Sequence, residues 1–226
     1  MDSEEFSFET IEYPKENDRA LYEGSTKNGV PWGTGILTMK NGETYIGCFE
    51  NDLYNRFGKL RYSKNDTHDR KIYIGEFKNG PRHGKGRLEW TNGDIYEGEY
   101  QDNIKHGFAK EWYNNGNRFE GFFKDGQRSG NGTFTWLDGD KYIGAFTDGQ
   151  LTGNGTYLFN PKKSVLRYEG EFKDWKHQNY GIMDWRNGER YEGNWENNLR
   201  HGFGTQFSAN RSIIYSGEWN NGTRVN

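Results

Sequence analysis

Polar and apolar positions alternate in short bursts along most of this chain, and the bursts recur. In Tyr96-Glu97-Gly98-Glu99-Tyr100 an aromatic, a glycine and an aromatic share one parity, with carboxylates on the other. Alternation of period two is the pattern of a strand with two unlike faces. The same aromatic-x-Gly shape starts at Tyr22, Tyr45, Tyr73, Tyr96, Phe119, Tyr142, Tyr168, Tyr191 and Tyr215, in steps of 23, 28, 23, 23, 23, 26, 23 and 24. A fixed step of this size marks tandem structural units. The longer steps carry insertions around KNDTHDR, NPKKSV and SANRS.

Each unit repeats an internal order. Counting from the first aromatic, a second follows four residues later: Phe49, Phe77, Tyr100, Phe123, Phe146, Phe172, Trp195 and Trp219, with Thr26 as the exception. Gly-x-Gly comes eleven and thirteen residues on, departing from glycine at Arg56, Ala109 and Asn179. A second alternating burst follows, as in Gly86-x-Leu88-x-Trp90 and Gly132-x-Phe134-x-Trp136, and then Asn-Gly or Asp-Gly. Such dipeptides close tight hairpins, so they are expected to join the two strands. The other connection, KNGPRHG or KDGQRSG, reads as a longer polar loop.

The predicted fold is all-β: an elongated, single-layer antiparallel meander of about nine successive hairpins, twisted and groove-forming. Neighbouring strands lie about 4.8 Å apart, so nine repeats would extend on the order of 85 Å. Glycine between two aromatics leaves room for rings to pack across it. Residues 21–226 form the array, with a truncated last repeat. Residues 1–20 read as an acidic arm or cap, in which Phe6, Phe8, Ile11 and Tyr13 alternate enough for one added strand.

Composition sharpens this. Aromatics make up 17% of the chain although hydrophobic residues total only 31%, so rings must supply most of the apolar burial. A mean hydropathy of -1.17 would fit disorder, but aromatic content this regular is a packing signal. The net charge of -3 does not favour nucleic acid. A single cysteine, Cys48, excludes an internal disulfide and suggests a reducing compartment. No apolar run is long enough to span a membrane as a helix. The first residues lack a basic and an apolar segment, so they are not a secretory signal, and a cytoplasmic location is expected.

Candidate chemistry is sparse. His83, His106 and His201 share one repeat position, yet equivalent atoms of adjacent repeats should sit roughly 9.5 Å apart, against about 2 Å for a zinc–ligand bond. No metal site and no cofactor are expected, nor any catalytic residue. The acidic row Glu23, Glu97, Glu120, Glu169 and Glu192 reads as a solvated outer face rather than as acid–base pairs. A basic row stands nine residues after the first aromatic: Arg82, Lys105, Arg128, His177 and Arg200, interrupted by Pro31, Tyr54 and Leu151. It reads as a loop rim, either plain solubility or attraction to an anionic lipid or acidic protein. The aromatic stripe carries the stronger expectation. One sheet layer cannot cover its own rings, and exposed aromatic surface marks binding. The expected groove residues are Trp90, Tyr96, Tyr100, Trp112, Phe119, Phe123, Trp136 and Tyr142, receiving a helix or an extended segment of a partner protein.

YIGEFKNGPRHGKGRLEWTNG and YEGEYQDNIKHGFAKEWYNNG resemble the MORN repeat (membrane occupation and recognition nexus), and the resemblance covers almost the whole chain. It implies a scaffold or adaptor without catalysis. Similar arrays occur in ciliary radial-spoke heads, junctional membrane proteins and cytoskeletal rings, and as appendages of lipid kinases and a lysine methyltransferase. With no further domain expected after the last repeat, three readings follow: a cytoskeletal or axonemal scaffold, a tether to anionic phospholipid, and a regulatory subunit of a separate enzyme. Unpaired terminal strands could pair with a second copy or another protein, and the C-terminal repeat is the expected place for a homodimer contact.

Overall fold

The computed structural model describes residues 5–225. It is all-β and antiparallel, and no helix occurs among the described residues. The chain divides into two compact units, one ending at Asn114 and one starting at Asn115. The first is a meander of β1 (Phe6–Glu12), β2 (Arg19–Lys27), β3 (Val30–Met39), β4 (Thr44–Glu50), β5 (Leu53–Arg61), β6 (Arg70–Phe77), β7 (Arg82–Trp90), β8 (Ile95–Gln101) and β9 (Ile104–Trp112). The second contains β10 (Arg118–Lys124), β11 (Gln127–Thr135), β12 (Lys141–Thr147), β13 (Gln150–Leu158), β14 (Val165–Lys173), β15 (Lys176–Trp185), β16 (Arg190–Glu196), β17 (Leu199–Phe207), β18 (Ile213–Asn220) and β19 (Thr223–Arg224). Within each unit every strand pairs with its neighbours in sequence.

Register brings one glycine per strand into a continuous row. Gly24, Gly35, Gly47, Gly58, Gly75, Gly86 and Gly98 pair in succession from β2 to β8, and Ala109 ends the row on β9. In the second unit the row runs from Gly121 on β10 to Gly217 on β18. The leading tyrosine of each repeat lays its ring along this row. A methyl group on Gly35 would stand 2.5 Å from Cε2 of Tyr22, closer than any van der Waals contact allows. The rings therefore lie on the glycines of their own hairpin, and the row defines a ring face and a back face.

Two connections differ from the expectation. The two-residue turns are those expected to be long polar loops, such as Asn28-Gly29 and Asp102-Asn103. Both residues there have positive φ, 52° and 75° in the first and 49° and 71° in the second. That is the type I′ geometry, whose twist matches the strands it joins. The Asn-Gly and Asp-Gly sites instead form wider turns, in which only the glycine is left-handed, as at Gly42 with φ of 87°. There the asparagine side chain turns inward, and Asn41 Oδ1 accepts the Glu43 N–H at 2.9 Å.

The hairpins closed by the tight turns, from β2–β3 to β16–β17, also bulge. Gly24 pairs with Gly35 but Thr26 pairs with Pro31, so β3 carries two extra residues against β2. The residue eleven after the leading aromatic sits in this bulge with positive φ, whether it is Gly33 at 78° or the departures Arg56 and Asn179, both at 54°.

The N-terminal segment from Phe6 to Glu12 adds β1 to the edge of β2; residues 1–4 of the acidic arm lie outside the described residues. This contact explains Thr26. Where other repeats place a ring, its buried hydroxyl donates to Glu9 Oε1 at 2.9 Å and lies 2.8 Å from Ser7 Oγ.

Candidate binding surfaces

The ring face is an interlocked core. In the first unit Tyr22, Phe49, Tyr45, Phe77, Tyr73, Tyr100 and Tyr96 alternate edge to face, with centroids 5.0–5.4 Å apart. The second unit repeats this from Phe119 to Tyr215 at 4.9–5.4 Å. Edge-to-face pairing sets the positive ring edge on the negative ring face, which stabilises beyond simple burial. Eight of the leading tyrosines donate their hydroxyl to the backbone carbonyl three residues on, at 2.5–3.1 Å. That carbonyl lies in the bulge, so the phenol supplies a donor where the ladder is interrupted. Burial pushes the hydroxyls of Tyr22, Tyr142 and Tyr191 up to about 12 and raises those of Tyr45, Tyr73, Tyr96 and Tyr168 as well.

This packing determines what the eight groove residues can present. Tyr96, Tyr100, Phe119, Phe123 and Tyr142 are buried within their own units. Trp90 and Trp136 are half-buried on the ring face. Trp112 is also half-buried but lies on the back face. It pairs with Ile95, one step out of phase with Glu111, which faces Tyr96. It stands sixteen residues after its leading aromatic, whereas Trp90 and Trp136 stand seventeen after theirs, and one step in a strand changes the face.

The basic row is not a loop rim. Arg82 pairs with Phe77, Lys105 with Tyr100, Arg128 with Phe123 and Arg200 with Trp195, which puts all four on the ring face. The Arg82 guanidinium lies 5.0 Å from the Tyr100 ring centre, and Arg128 lies 4.8 Å from Phe119. Arg200 lies 3.9 Å from Trp219, and Lys105 Nζ lies 4.7 Å from Tyr96. A cation over the negative face of a ring is held electrostatically, and its aliphatic stem covers the ring. His177 occupies the same place as a neutral ring stacked 3.8 Å from Tyr168, and burial lowers its pKa to about 4.

One repeat differs in character. Glu111 stands where its neighbours have Leu88 and Phe134, and it is buried. It accepts Lys105 Nζ at 2.6 Å and the Tyr113 hydroxyl. The same repeat has Ala109 in the glycine row, and the Tyr96–Tyr100 interplanar angle falls to 68°, against 84–89° along the rest of that unit's ladder.

Exposed apolar side chains recur on the back face. Phe57 is 59% exposed, Phe108 41% and Phe203 71%. Each occupies the x of Gly-x-Gly or its equivalent, a position the alternation alone marks as outward. In the first unit Phe57, Ile74 and Phe108 border a depression of about 440 Å³ over Gly75, Gly86 and Gly98. Its wall carries Lys85, Arg87 and Lys110 against Glu97 and Glu99, with Arg87 3.3 Å from Glu97. The acidic row does lie on this face, but Ile46, Ile74 and Ile143 take its place in three repeats. The signal for this surface is a large apolar residue at the middle position of Gly-x-Gly or of its departures Arg56-x-Gly58 and Gly107-x-Ala109. Among the described residues no group of three histidine, cysteine or acidic side chains is placed to hold a metal ion.

The repeat itself matches a known family. The MORN repeat family pattern matches at residues 22–44, 45–67, 73–95, 96–118, 119–141, 142–161, 168–190, 191–213 and 215–225. Alsin of Rattus norvegicus is 30% identical over 76 residues, which are 34% of this chain and 5% of Alsin. Alsin of Homo sapiens matches over the same shares. The chain thus spans only a small part of the length of these curated relatives. Among solved structures, a mutant of the TCP10 domain of Danio rerio CPAP aligns over 93% of this chain and 99% of its own at 10% identity, with a TM-score of 0.44. A streptogramin B lyase structure aligns over 95% and 88% at 11% identity, with a TM-score of 0.18.

Proposed function

The chain belongs to the MORN repeat family, and from that membership we propose a non-catalytic adaptor that holds partner proteins against its back face. MORN repeat proteins act as protein- or membrane-binding adaptors. The observation that carries the reading is the contrast between the two faces. The ring face covers most of its aromatics with one another and with stacked cations, while Phe57 is 59% exposed and borders a shallow depression with Ile74 and Phe108. Exposed apolar surface rimmed by charge is the usual mark of a protein-binding patch. An extended segment crossing the strands is the occupant that suits a shallow, open site. Trp90 on the ring face of the first unit and Trp136 on the ring face of the second are proposed as separate contact points.

The competing reading, a tether for anionic lipid, depends on Arg82, Lys105, Arg128 and Arg200. Their charged ends lie against rings, and Lys105 is also paired with Glu111, so this geometry favours protein over membrane. We place the adaptor in a cytoplasmic cytoskeletal assembly, the radial spoke of the axoneme, on family analogy alone; co-localisation of a tagged chain with axonemal tubulin tests that assignment.

The test of the binding surface is affinity capture with the wild-type chain and with Phe57→Ser/Phe108→Ser, each compared by thermal melting. The variant is expected to keep its melting temperature and lose a defined set of captured proteins. Retention of that set would refute the back-face reading. Sedimentation with phosphatidylserine vesicles at rising salt tests the lipid alternative, which requires binding that weakens with salt.

A further inference from the structure

We infer that Trp175, Trp136 and Tyr157 form a receptor for a cationic side chain, an arginine or lysine of a partner protein. The starting point is a backbone anomaly. The second residue of every two-residue turn between these strands is left-handed, and in seven of the eight it is Gly29, Asp52, Asn103, Gly126, Gly149, Asn198 or Gly222. In the turn between β14 and β15 it is Trp175, at φ of 65°. A bulky side chain rarely adopts that conformation, and strain of this kind collects where a side chain must be presented for a purpose.

Trp175 is held in a definite place. Its indole N–H donates to Gln150 Oε1. Its ring stands nearly perpendicular to Trp136, at 77° with centroids 6.1 Å apart. The side chain is nevertheless 38% exposed. Tyr157 flanks Trp136 at 5.1 Å. The Tyr157 hydroxyl donates to the Asp140 carboxylate at 2.6 Å, which enriches the electrons of its ring. Two rings near a right angle form a corner in which one cation can meet both faces. The carboxylates beside it, Asp138 and Asp140, share the single ammonium of Lys163, which leaves one net negative charge.

Comparison between repeats identifies the occupant. Lys105 reaches Trp90, the indole seventeen residues after its leading tyrosine, at 4.9 Å. Arg128 reaches Phe134, the ring fifteen residues after its leading aromatic, at 5.0 Å. Trp136 and Tyr157 hold those same two places around the next station, but the residue there is Leu151, which is 1% exposed and uncharged. The station has the rings of its neighbours without their cation, and Trp175 adds an indole. Leu151 fills the internal place, so a guanidinium or ammonium from outside would lie against the exposed flank of Trp175 and Trp136, reproducing the cation–ring contact that the fold builds internally at Arg82, Lys105, Arg128, Arg200 and Arg224. This inference does not depend on the back-face reading.

The test follows the indole N–H signals of Trp175 and Trp136 by NMR while titrating Gly-Ser-Arg-Ser-Gly and the same peptide with citrulline for arginine, an uncharged isostere. The arginine peptide is expected to shift both signals and to bind at least about tenfold tighter than the citrulline peptide. Trp175→Asn installs a residue type found in the equivalent turns and is expected to keep or raise the melting temperature while abolishing the response. Leu151→Arg supplies the missing cation from within and is expected to block the peptide. Equal response to both peptides, or none, would overturn the inference. A lowered melting temperature in Trp175→Asn with binding intact would do the same, because Trp175 would then be only a cover for Leu151.

Discussion

Replacing Gly35 by alanine separates two reasons for a glycine in a strand. Gly35 has an ordinary extended backbone, so chain entropy alone favours alanine by about 0.5–1 kcal/mol. Contact geometry points the other way. The new methyl would stand 2.5 Å from Cε2, 2.6 Å from Oη and 2.7 Å from Cζ of Tyr22, whose ring is fully buried. The ring must move, and overpacking of this kind costs about 1–3 kcal/mol. Moving it also weakens the 2.5 Å bond from its hydroxyl to the Ser25 carbonyl, a further loss of about 1 kcal/mol. Subtracting the entropic gain leaves a net destabilisation of about 2 kcal/mol. Urea denaturation followed by tryptophan fluorescence should show a lower midpoint, and thermal melting a fall of about 4–8 °C for a chain of this size. Repeat 96–118 supplies the natural precedent, since Ala109 accompanies a Tyr96 ring turned away from the common angle. An unchanged or raised midpoint in Gly35→Ala would refute ring packing as the reason for the glycine row.

Three other perturbations test the ring face. Tyr168→Phe removes the hydroxyl that donates to the Glu171 carbonyl at 3.1 Å and should cost about 1 kcal/mol by the same denaturation assay. His177 has a folded pKa of about 4, below its ordinary value of 6.5, so the unfolded chain binds the extra proton between those limits. Stability should therefore fall by about 3 kcal/mol as pH drops from 6.5 to 4, and His177→Phe should remove that component of a denaturation series across this range. Lys105→Met removes the ammonium that pairs with the buried Glu111 carboxylate and should cost about 3 kcal/mol, whereas Lys105→Met/Glu111→Leu should recover most of the loss on urea titration.

Much of the architecture was legible before any coordinates. The period located every hairpin, because each unit must present the same rings to its neighbours to close a common core. Alternation assigned faces correctly wherever the count from the leading aromatic was kept, and it misled at Trp112, where the count was not. The turns were read in reverse. Asn-Gly is a strong two-residue signal, but hairpin geometry also depends on the extra residues in each bulge, which composition does not reveal. The nine-residue offset marks the basic residues as a row, but the pairing of the strands sets that row on the ring face rather than on a rim. Sequence spacing shows that Arg82 and Arg128 are equivalent, but not that each folds over a ring.

The sequence by itself determined the repeat, the strands, the two faces and the need for glycine beneath each ring. These follow from local sterics and from a pattern restated every 23 residues or so. Tertiary structure alone decided which aromatics remain available. A ring's exposure depends on its neighbour in the next hairpin and on the residue that folds over it, so equivalent positions reach different ends. Tyr142 is buried beneath its neighbours, Trp136 is left half-buried, and Trp175 meets it edge on from a conformation that a turn normally reserves for glycine, asparagine or aspartate.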